Sequence, residues 1–243
     1  MRFTALLSTA ALALSTLASP TYGTNGTNTT YVGPESGHLV IVGGNLQSEA
    51  IYQRIISLAG GPNASIVVIP TAGGDATYDQ NFTTAVAFRE FGATNVTVLH
   101  TYDPAVADTE EFIAPLLSAT GVFFAGGDHT VGFGYLKNSA IDQHVLIRNR
   151  HFDMFEITNA YPELLGLAID EDTALVVNKN EMEVIGSTYA LVYDGGFWSR
   201  EGSWERPLPP PNARFYFLRE GDRYDLATRE VIEAEGAGKM DDE

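Results

Sequence analysis

The chain has 243 residues, of which 44% are hydrophobic and 19% are charged, and its formal net charge is −17 at pH 7. This length and apolar content predict one full-sized globular domain and exclude two large ones. Because phosphate groups and anionic lipids are bound by clustered Lys and Arg, the acidic excess argues against nucleic acid and membrane as partners and suits a cationic or arginine-bearing ligand.

The first residues have the pattern of a secretory signal. Arg2 precedes an apolar run over residues 5–17, and small residues follow it. We expect residues 1–19 to be a cleaved signal peptide and the protein to be secreted into the extracellular space. The run is too short and too often interrupted by Ser and Thr for a membrane span, which needs about 20 apolar residues.

Residues 20–37 are rich in Thr, Asn and Gly and are predicted to form a flexible, glycosylated arm. In an exported chain, each Asn-x-Ser/Thr sequence is a candidate acceptor of an N-linked glycan, although such sequences also arise by chance. They begin here at Asn25, Asn28, Asn63, Asn81 and Asn95. The chain has no cysteine, which excludes disulfides, a thiol nucleophile and a thiolate zinc site.

Between residues 38 and 125, short apolar runs alternate with amphipathic stretches. Strands are predicted at 38–42, 65–70, 95–99 and 121–125, and helices at 48–59, 80–91 and 108–119. The alternation predicts parallel strands joined by right-handed crossovers, and so an α/β sandwich with a mainly parallel sheet. Ligands of such sheets lie beyond the carboxyl ends of the strands, here at Gly43-Gly44, residues 71–75 and Gly126-Gly127-Asp128.

We expect the domain to cover residues 38–230. Its second half has a different pattern of apolar runs. A helix is predicted at 144–160. The apolar runs 173–177, 183–185 and 190–193 follow one another too closely for helical crossovers and favour antiparallel hairpins. A proline-rich loop at 198–211, a last strand within 214–226 and an acidic tail at 231–243 complete the chain.

One stretch concentrates the chemistry: Asp142-Gln143-His144, followed by Arg148 and Arg150. An imidazole is a general base near neutral pH, and a guanidinium fork binds a carboxylate bidentately, although a lone histidine at a helix start is more often structural. No Gly-x-Ser-x-Gly elbow occurs in the sequence. The stretch therefore has the character of a serine-hydrolase site without its nucleophile.

Three motifs in order resemble the cyanophycinases, relatives of dipeptidase E among the serine peptidases. They are Gly126-Gly127-Asp128, Asp142-Gln143-His144 with the two arginines, and the run Gly-Leu-Ala-Ile-Asp-Glu-Asp-Thr-Ala at 166–174. The resemblance extends from about residue 38 to residue 193. It implies a flavodoxin-like three-layer sandwich, as in class I glutamine amidotransferases, that hydrolyses Asp-containing (β-aspartyl) peptide bonds through serine acylation.

The resemblance also implies roles for individual residues. His144 matches the general base. Substrate carboxylates and backbone would be contacted by Asp128, Asp142, Gln143, Arg148 and Arg150. The ligand would be a peptide with Asp or Arg character. Neither a cofactor nor a metal is implied, and Val42-Gly43-Gly44-Asn45 lacks the third glycine of a dinucleotide fingerprint.

The consecutive acids Asp170, Glu171 and Asp172 could in principle bind a divalent ion. Side chains that follow one another in a strand point to opposite faces, however, and do not converge on one metal. We therefore expect these three residues to be structural.

The chain departs from the family between Asp128 and Asp142. In the family, a helix, a strand, the Gly-Thr-Ser-Ala-Gly elbow and the acid lie there, whereas here only residues 129–141 do. We therefore expect both the nucleophile and the acid to be missing, together with an internal strand–helix unit. Ser139 has no glycine turn beside it and is expected to be a strand-edge residue rather than a substitute.

This departure predicts a chain that does not hydrolyse peptides as written. Two alternatives stay open: a non-catalytic pseudoenzyme that binds acidic peptides, and the product of a skipped exon or a mis-predicted gene. A homodimer is also left open, because the sequence does not determine the oligomeric state.

Overall fold

The computed structural model of the protein describes residues 30–127, 133–194 and 214–233. The predicted signal peptide, Asn25, Asn28, Asp128, the proline-rich loop and residues 234–243 lie outside these ranges. No helix among the described residues is long and apolar enough to cross a membrane.

The described elements alternate between strand and helix in the first half and are mostly strands in the second. The helices are α1 (Glu49–Leu58), α2 (Thr83–Glu90), α3 (Pro104–Ala107), α4 (Glu110–Leu117) and α5 (Met154–Ala160). The strands of the first half are β1 (Leu39–Val42), β2 (Ser65–Ile69), β3 (Asn95–Val98) and β4 (Gly121–Phe124). Those of the second half are β5 (Ser139–Gln143), β6 (Leu165–Ile169), β7 (Thr173–Asn178), β8 (Glu181–Gly186), β9 (Tyr189–Asp194), β10 (Arg214–Arg219), β11 (Arg223–Asp225) and β12 (Glu230–Ile232).

Strands β3, β2 and β4 form a parallel sheet in that order. Helices α1 and α2 cover one face of it, where Tyr52 and Phe88 meet edge to face at 4.9 Å above Ile66 and Val68. Each of these buried side chains contributes about 1.5–3 kcal/mol. The strand–helix alternation predicted for this region is confirmed.

The remaining strands form two further sheets within the described residues, ordered β1-β7-β8-β11-β12 and β10-β9-β6-β5. Buried aliphatic side chains fill the space between them, among them Leu167 and Ile169 of β6 and Leu175 and Val177 of β7. On the other face of the four-stranded sheet, Met154 of α5 packs on Ala168 and Leu191. The β5–β6 pair is parallel, and the other pairs of these two sheets are antiparallel.

The expectation of a single, mainly parallel sheet was therefore wrong for the described residues, although the mixed α/β class is confirmed. The clearest departure is β1, which pairs antiparallel with β7, so that Leu39 faces Val177 and Ile41 faces Leu175. A short apolar run indicates that a strand is buried but does not indicate its partner. The partner of β1 lies more than 130 residues away along the chain.

The helix predicted at 144–160 was wrong in its first half. His144 and Asn149 have φ values of 56° and 55°, in the left-handed region that ends a helix. The carboxylate of Asp170 accepts the N–H groups of Leu146 and Ile147, at 3.0 and 3.1 Å. Residues 144–153 consequently form turns, and the helix begins at Met154.

Hydrogen bonds extend beyond both predicted ends of the domain, whose bounds stay a prediction. The N–H of Gly33 donates to the carbonyl of Lys179 at 2.7 Å, and Val32 N–H donates to the Asn180 side chain at 2.9 Å, so ordered contacts begin before residue 38. At the other end, Val231 lies in β12 and pairs with Tyr224 rather than starting a tail. The sequons at Asn63, Asn81 and Asn95 are exposed, and their glycosylation stays a prediction.

Candidate active site

The site lies where β5 and β6 end. These strands are parallel neighbours with Gln143 opposite Ile169, so the residues that follow them meet at one edge of the sheet. His144 follows β5, and Glu171 lies in the turn after β6. Their side chains meet: Nδ1 of His144 is 2.7 Å from Oε1 of Glu171.

The backbone of His144 is held in an unusual conformation. Its φ of 56° costs a residue with a side chain about 1–2 kcal/mol. The N–H of His144 donates to the carbonyl of Gly43 at 2.8 Å, and Nε2 of Gln143 donates to the carbonyl of Val42 at 2.6 Å. The end of β5 is thus joined to the end of β1, which directs the imidazole toward the turn after β6.

The Glu171 carboxylate is hydrogen-bonded to the imidazole of His144, although no acid was expected there. Hydrogen bonds from His144 and, second, from Asn45 lower the pKa of Glu171 below its ordinary value, and the charge of Arg148 lowers it further. An ionised carboxylate only accepts hydrogen bonds, so Nδ1 carries a proton in this contact, and in the neutral form of the imidazole Nε2 presents the lone pair. Both side chains are about four-fifths buried, with 20% and 25% of their surfaces exposed.

The prediction that Glu171 is structural did not anticipate this contact with His144. It assumed that residues 170–172 continue a strand, whereas β6 ends at Ile169 and the three acids lie in and beside a turn. In a turn, successive side chains leave in different directions rather than alternating across a sheet. The signal that could have identified Glu171 was its place just beyond the carboxyl end of a strand.

Asp170 and Asp172 do have the structural role that was predicted for them. Asp170 accepts the two N–H groups of the turn after His144, as described above. Asp172 accepts the N–H groups of Gln47 and Ser48 at 2.9 and 2.6 Å, and the hydroxyl of Ser187 at 2.7 Å. The three acids thus point at different partners, and no cluster that could hold a metal ion occurs among the described residues.

Asp142 and Arg150 bind each other. Nη2 of Arg150 is 2.8 Å from Oδ1 of Asp142, whose side chain is only 10% exposed, and Nε of Arg150 is 3.3 Å from Asp153. The other Asp142 oxygen is buried without a hydrogen-bond partner in the described structure. Asp142 and Arg150 were expected to contact a substrate, whereas in the structure they pair with each other.

Arg148 is different from Arg150. It is exposed, and its guanidinium forms no ion pair with the described residues. Its positive charge nevertheless acts on Glu171, as the lowered pKa of that carboxyl indicates. Arg148 is therefore an exposed cation that acts on Glu171 and pairs with no described carboxylate.

No described hydroxyl group is hydrogen-bonded to Nε2 of His144. Ser139 begins β5, whereas His144 follows its last residue, and at 3.3 Å per residue the two lie roughly 16 Å apart along the strand. The Ser139 hydroxyl donates instead to the carbonyl of Lys137 at 3.1 Å. Ser139 lies in β5, which is an edge strand of its sheet among the described residues, in agreement with its prediction as a strand-edge residue, and it does not meet the imidazole.

The chain is similar to several known proteins, although no family model matches it. A cyanophycinase of Geminocystis herdmanii (strain PCC 6308) is 25% identical over 260 residues, covering 80% of this chain and 95% of the relative. A cyanophycinase of Synechococcus elongatus is 26% identical over 269 residues, covering 81% and 82%. The crystal structure of a peptidase from an acI-B1 Actinobacterium, 18% identical, superposes with a TM-score of 0.56 over 78% of this chain and 96% of that chain.

The first of these alignments is longer than the chain itself. It spans 260 positions, yet it takes in only 80% of the 243 residues. Several tens of positions of the relative therefore have no counterpart here, in agreement with an internal deletion. The chain is thus similar in sequence to cyanophycinases over about four fifths of its length, which supports a cyanophycinase-like peptidase family, and it shares its fold with a solved peptidase.

Proposed function

We propose that this chain is a secreted, glycosylated member of the family that carries the base and the acid of a serine-peptidase site for Asp-containing (β-aspartyl) peptide bonds, but not the nucleophile. The observation that carries the proposal is the contact of 2.7 Å between His144 Nδ1 and Glu171 Oε1. It leaves Nε2 with a lone pair and no hydrogen-bond partner among the described residues.

The chemistry of such a pair is general-base catalysis. The carboxylate of Glu171 fixes the Nδ1–H tautomer, so that Nε2 takes the proton of a serine hydroxyl as it attacks a carbonyl carbon, and the imidazolium then returns that proton to the leaving amine. The carboxylate stabilises the imidazolium throughout. Without an elbow serine there is no hydroxyl to activate, and loss of the nucleophile costs on the order of a millionfold in turnover.

Ligand binding does not need the serine. Arg148 is exposed and has no ion pair in the described structure, so its guanidinium fork is available for the carboxylate of an aspartyl peptide. A net charge of −17 favours a ligand that also carries arginine. We therefore keep binding of acidic peptides by a non-catalytic pseudoenzyme as the second function. The exposure of Arg148 and its lack of an ion pair in the described structure favour it.

The two functions are separated with purified protein and the β-aspartyl-arginine dipeptide. We expect no release of arginine and no fluorophosphonate labelling. We expect calorimetry to detect binding, with an affinity that Arg148→Ala lowers about tenfold, which is equivalent to one charge-assisted contact of about 1.4 kcal/mol. The matched control is Arg54→Ala, because Arg54 is an exposed arginine on α1 that pairs with Glu183. Arginine release that is abolished by changing one of the chain's own serines would overturn the proposal.

The exposed surface beside the deletion supports a longer parent protein. Strands β4 and β5 flank it, and they expose Val122, Phe124 and Ile141, at 44%, 47% and 39%. Phe133 and Tyr135, between the two strands, are 69% and 57% exposed. Such a group of exposed apolar side chains is typical of a surface that has lost its cover.

We accordingly propose that the chain derives from a skipped exon or a mis-predicted gene. Sequencing of the transcript across the codons of Asp128 and His129 tests this origin. We expect a longer transcript that encodes a Gly-Thr-Ser-Ala-Gly stretch there. A single continuous exon, with no such stretch in the flanking genomic DNA, would contradict it.

A further inference from the structure

Asn45 contacts the carboxylate oxygen that His144 leaves unused. It lies in the turn between β1 and α1 with a φ of 41°. Its Nδ2 donates to Oε2 of Glu171 at 2.8 Å, while Oε1 of the same carboxylate faces His144. Both oxygens of Glu171 are therefore bound, each by a different element of the fold.

The orientation of the Asn45 amide is itself determined by its neighbours. Nε2 of Gln47 donates to Oδ1 of Asn45 at 3.3 Å, so the carbonyl end of the amide faces Gln47 and the NH₂ end faces Glu171. The turn is held against residues 170–172 by further bonds. Asp172 N–H donates to the carbonyl of Gly44 at 3.0 Å, and the Asp172 carboxylate accepts the N–H groups at the start of α1.

We propose that Asn45 is a positioning residue, which fixes the plane of the Glu171 carboxylate so that Oε1 points at the imidazole of His144. The inference rests on the proposed function, since it assigns Asn45 to the same base–acid pair. A glutamate carboxylate rotates broadly about its last torsion, and one hydrogen bond leaves that rotation open. The Asn45 amide, as a second donor on the other oxygen, prevents this rotation.

The residue type fits this task. The left-handed backbone conformation disfavours most side chains, but asparagine tolerates it. An aspartate would tolerate it too, yet would place a second negative charge beside Glu171. The hydrogen bond from Asn45 is also one of the two main causes of the lowered pKa of Glu171.

The test replaces the amide without disturbing the turn. Asn45→Gly keeps the backbone conformation and removes the donor, and Asn45→Asp keeps the shape and repels the carboxylate. In isotopically labelled protein, we expect the pKa of the Glu171 carboxyl to rise toward its ordinary value in Asn45→Gly and further in Asn45→Asp. The low-field NMR signal of the His144 Nδ1–H should weaken in both.

Asn138→Gly is the matched control. Asn138 has the same backbone conformation, with a φ of 52°, but makes no side-chain hydrogen bond to the acids of the site. We expect it to leave both readouts unchanged, which separates the loss of the amide from the effect of a new glycine. Thermal melts of each variant report whether it is folded, and Asn45→Asp decides the question if Asn45→Gly does not fold.

The inference is overturned if a folded Asn45 variant keeps both the wild-type pKa of Glu171 and the Nδ1–H signal. If the base–acid pair of the proposed function is absent, a different variant, Glu171→Gln, shows it. If Glu171→Gln leaves the Nδ1–H signal of His144 unchanged, the base–acid pair itself does not exist. If Glu171→Gln abolishes the signal and Asn45→Gly does not alter it, the pair stands and Asn45 does not position it.

Discussion

Gly44 and the imidazole of His144 lie in direct contact. A Cβ atom placed on Gly44 would lie 2.2 Å from Cε1 and 2.4 Å from Nε2 of the ring. Gly44 also has a φ of 108°, which disfavours any side chain. The position of the imidazole beside Glu171 therefore depends on the absence of a side chain at residue 44.

We expect Gly44→Ala to displace the ring and to break its bond to Glu171, because the added methyl occupies the place of the imidazole. Overpacking of this kind costs about 1–3 kcal/mol in the free energy of unfolding, in addition to the backbone strain. Urea unfolding measures this cost. Gly60→Ala is the control, since Gly60 has a φ of 115° and open space around its added Cβ. Equal costs for the two variants would show that the ring tolerates the methyl group.

The backbone conformation of His144 yields a second prediction. His144→Ala and His144→Gly both remove the imidazole, but only glycine adopts a φ of 56° without strain. We expect His144→Gly to be more stable than His144→Ala by about 1 kcal/mol, after allowance for the greater chain entropy of unfolded glycine. Chemical denaturation of the pair measures the difference. A more stable alanine variant would mean that residue 144 does not have this conformation.

Arg150 and Arg148 should differ sharply when replaced. Arg150→Ala leaves the carboxyl group of Asp142, whose side chain is only 10% exposed, without its cation, and removal of one partner of a buried pair costs about 3 kcal/mol. Arg148→Ala removes an exposed side chain without an ion pair in the described structure and should cost less than about 0.5 kcal/mol. Thermal or urea unfolding compares them. Addition of Asp142→Asn to Arg150→Ala should recover part of the loss, and no recovery would contradict the buried pair.

The lowered pKa of Glu171 predicts how its contribution to stability depends on pH. Because the folded state favours the ionised carboxylate, the contribution is complete above the ordinary glutamate pKa of about 4.5. It is lost as the pH falls through that value toward the lowered pKa of the folded protein. We therefore expect the stability advantage of the wild type over Glu171→Gln to shrink as the pH falls below about 5. An advantage that grows with acidification would contradict the ionised state.

Local patterns predicted a large part of the fold. The alternation of apolar runs and amphipathic stretches led correctly to β2, β3, β4 and the helices between them, because side-chain periodicity reflects the faces that neighbouring residues bury. It did not predict that β1 pairs with β7. That pairing depends on which distant apolar strand is complementary, and no local period encodes it.

The sequence by itself determined that His144 stands in a hydrolase motif and that no serine elbow accompanies it, since both are matters of which residues follow one another. Only the tertiary structure decided that Glu171 contacts His144 and that Arg150 pairs with Asp142. The hydrogen bond between His144 and Glu171 joins residues 27 positions apart. It exists because the parallel register of β5 and β6 brings the ends of both strands to one edge, and that register is a property of the folded sheet.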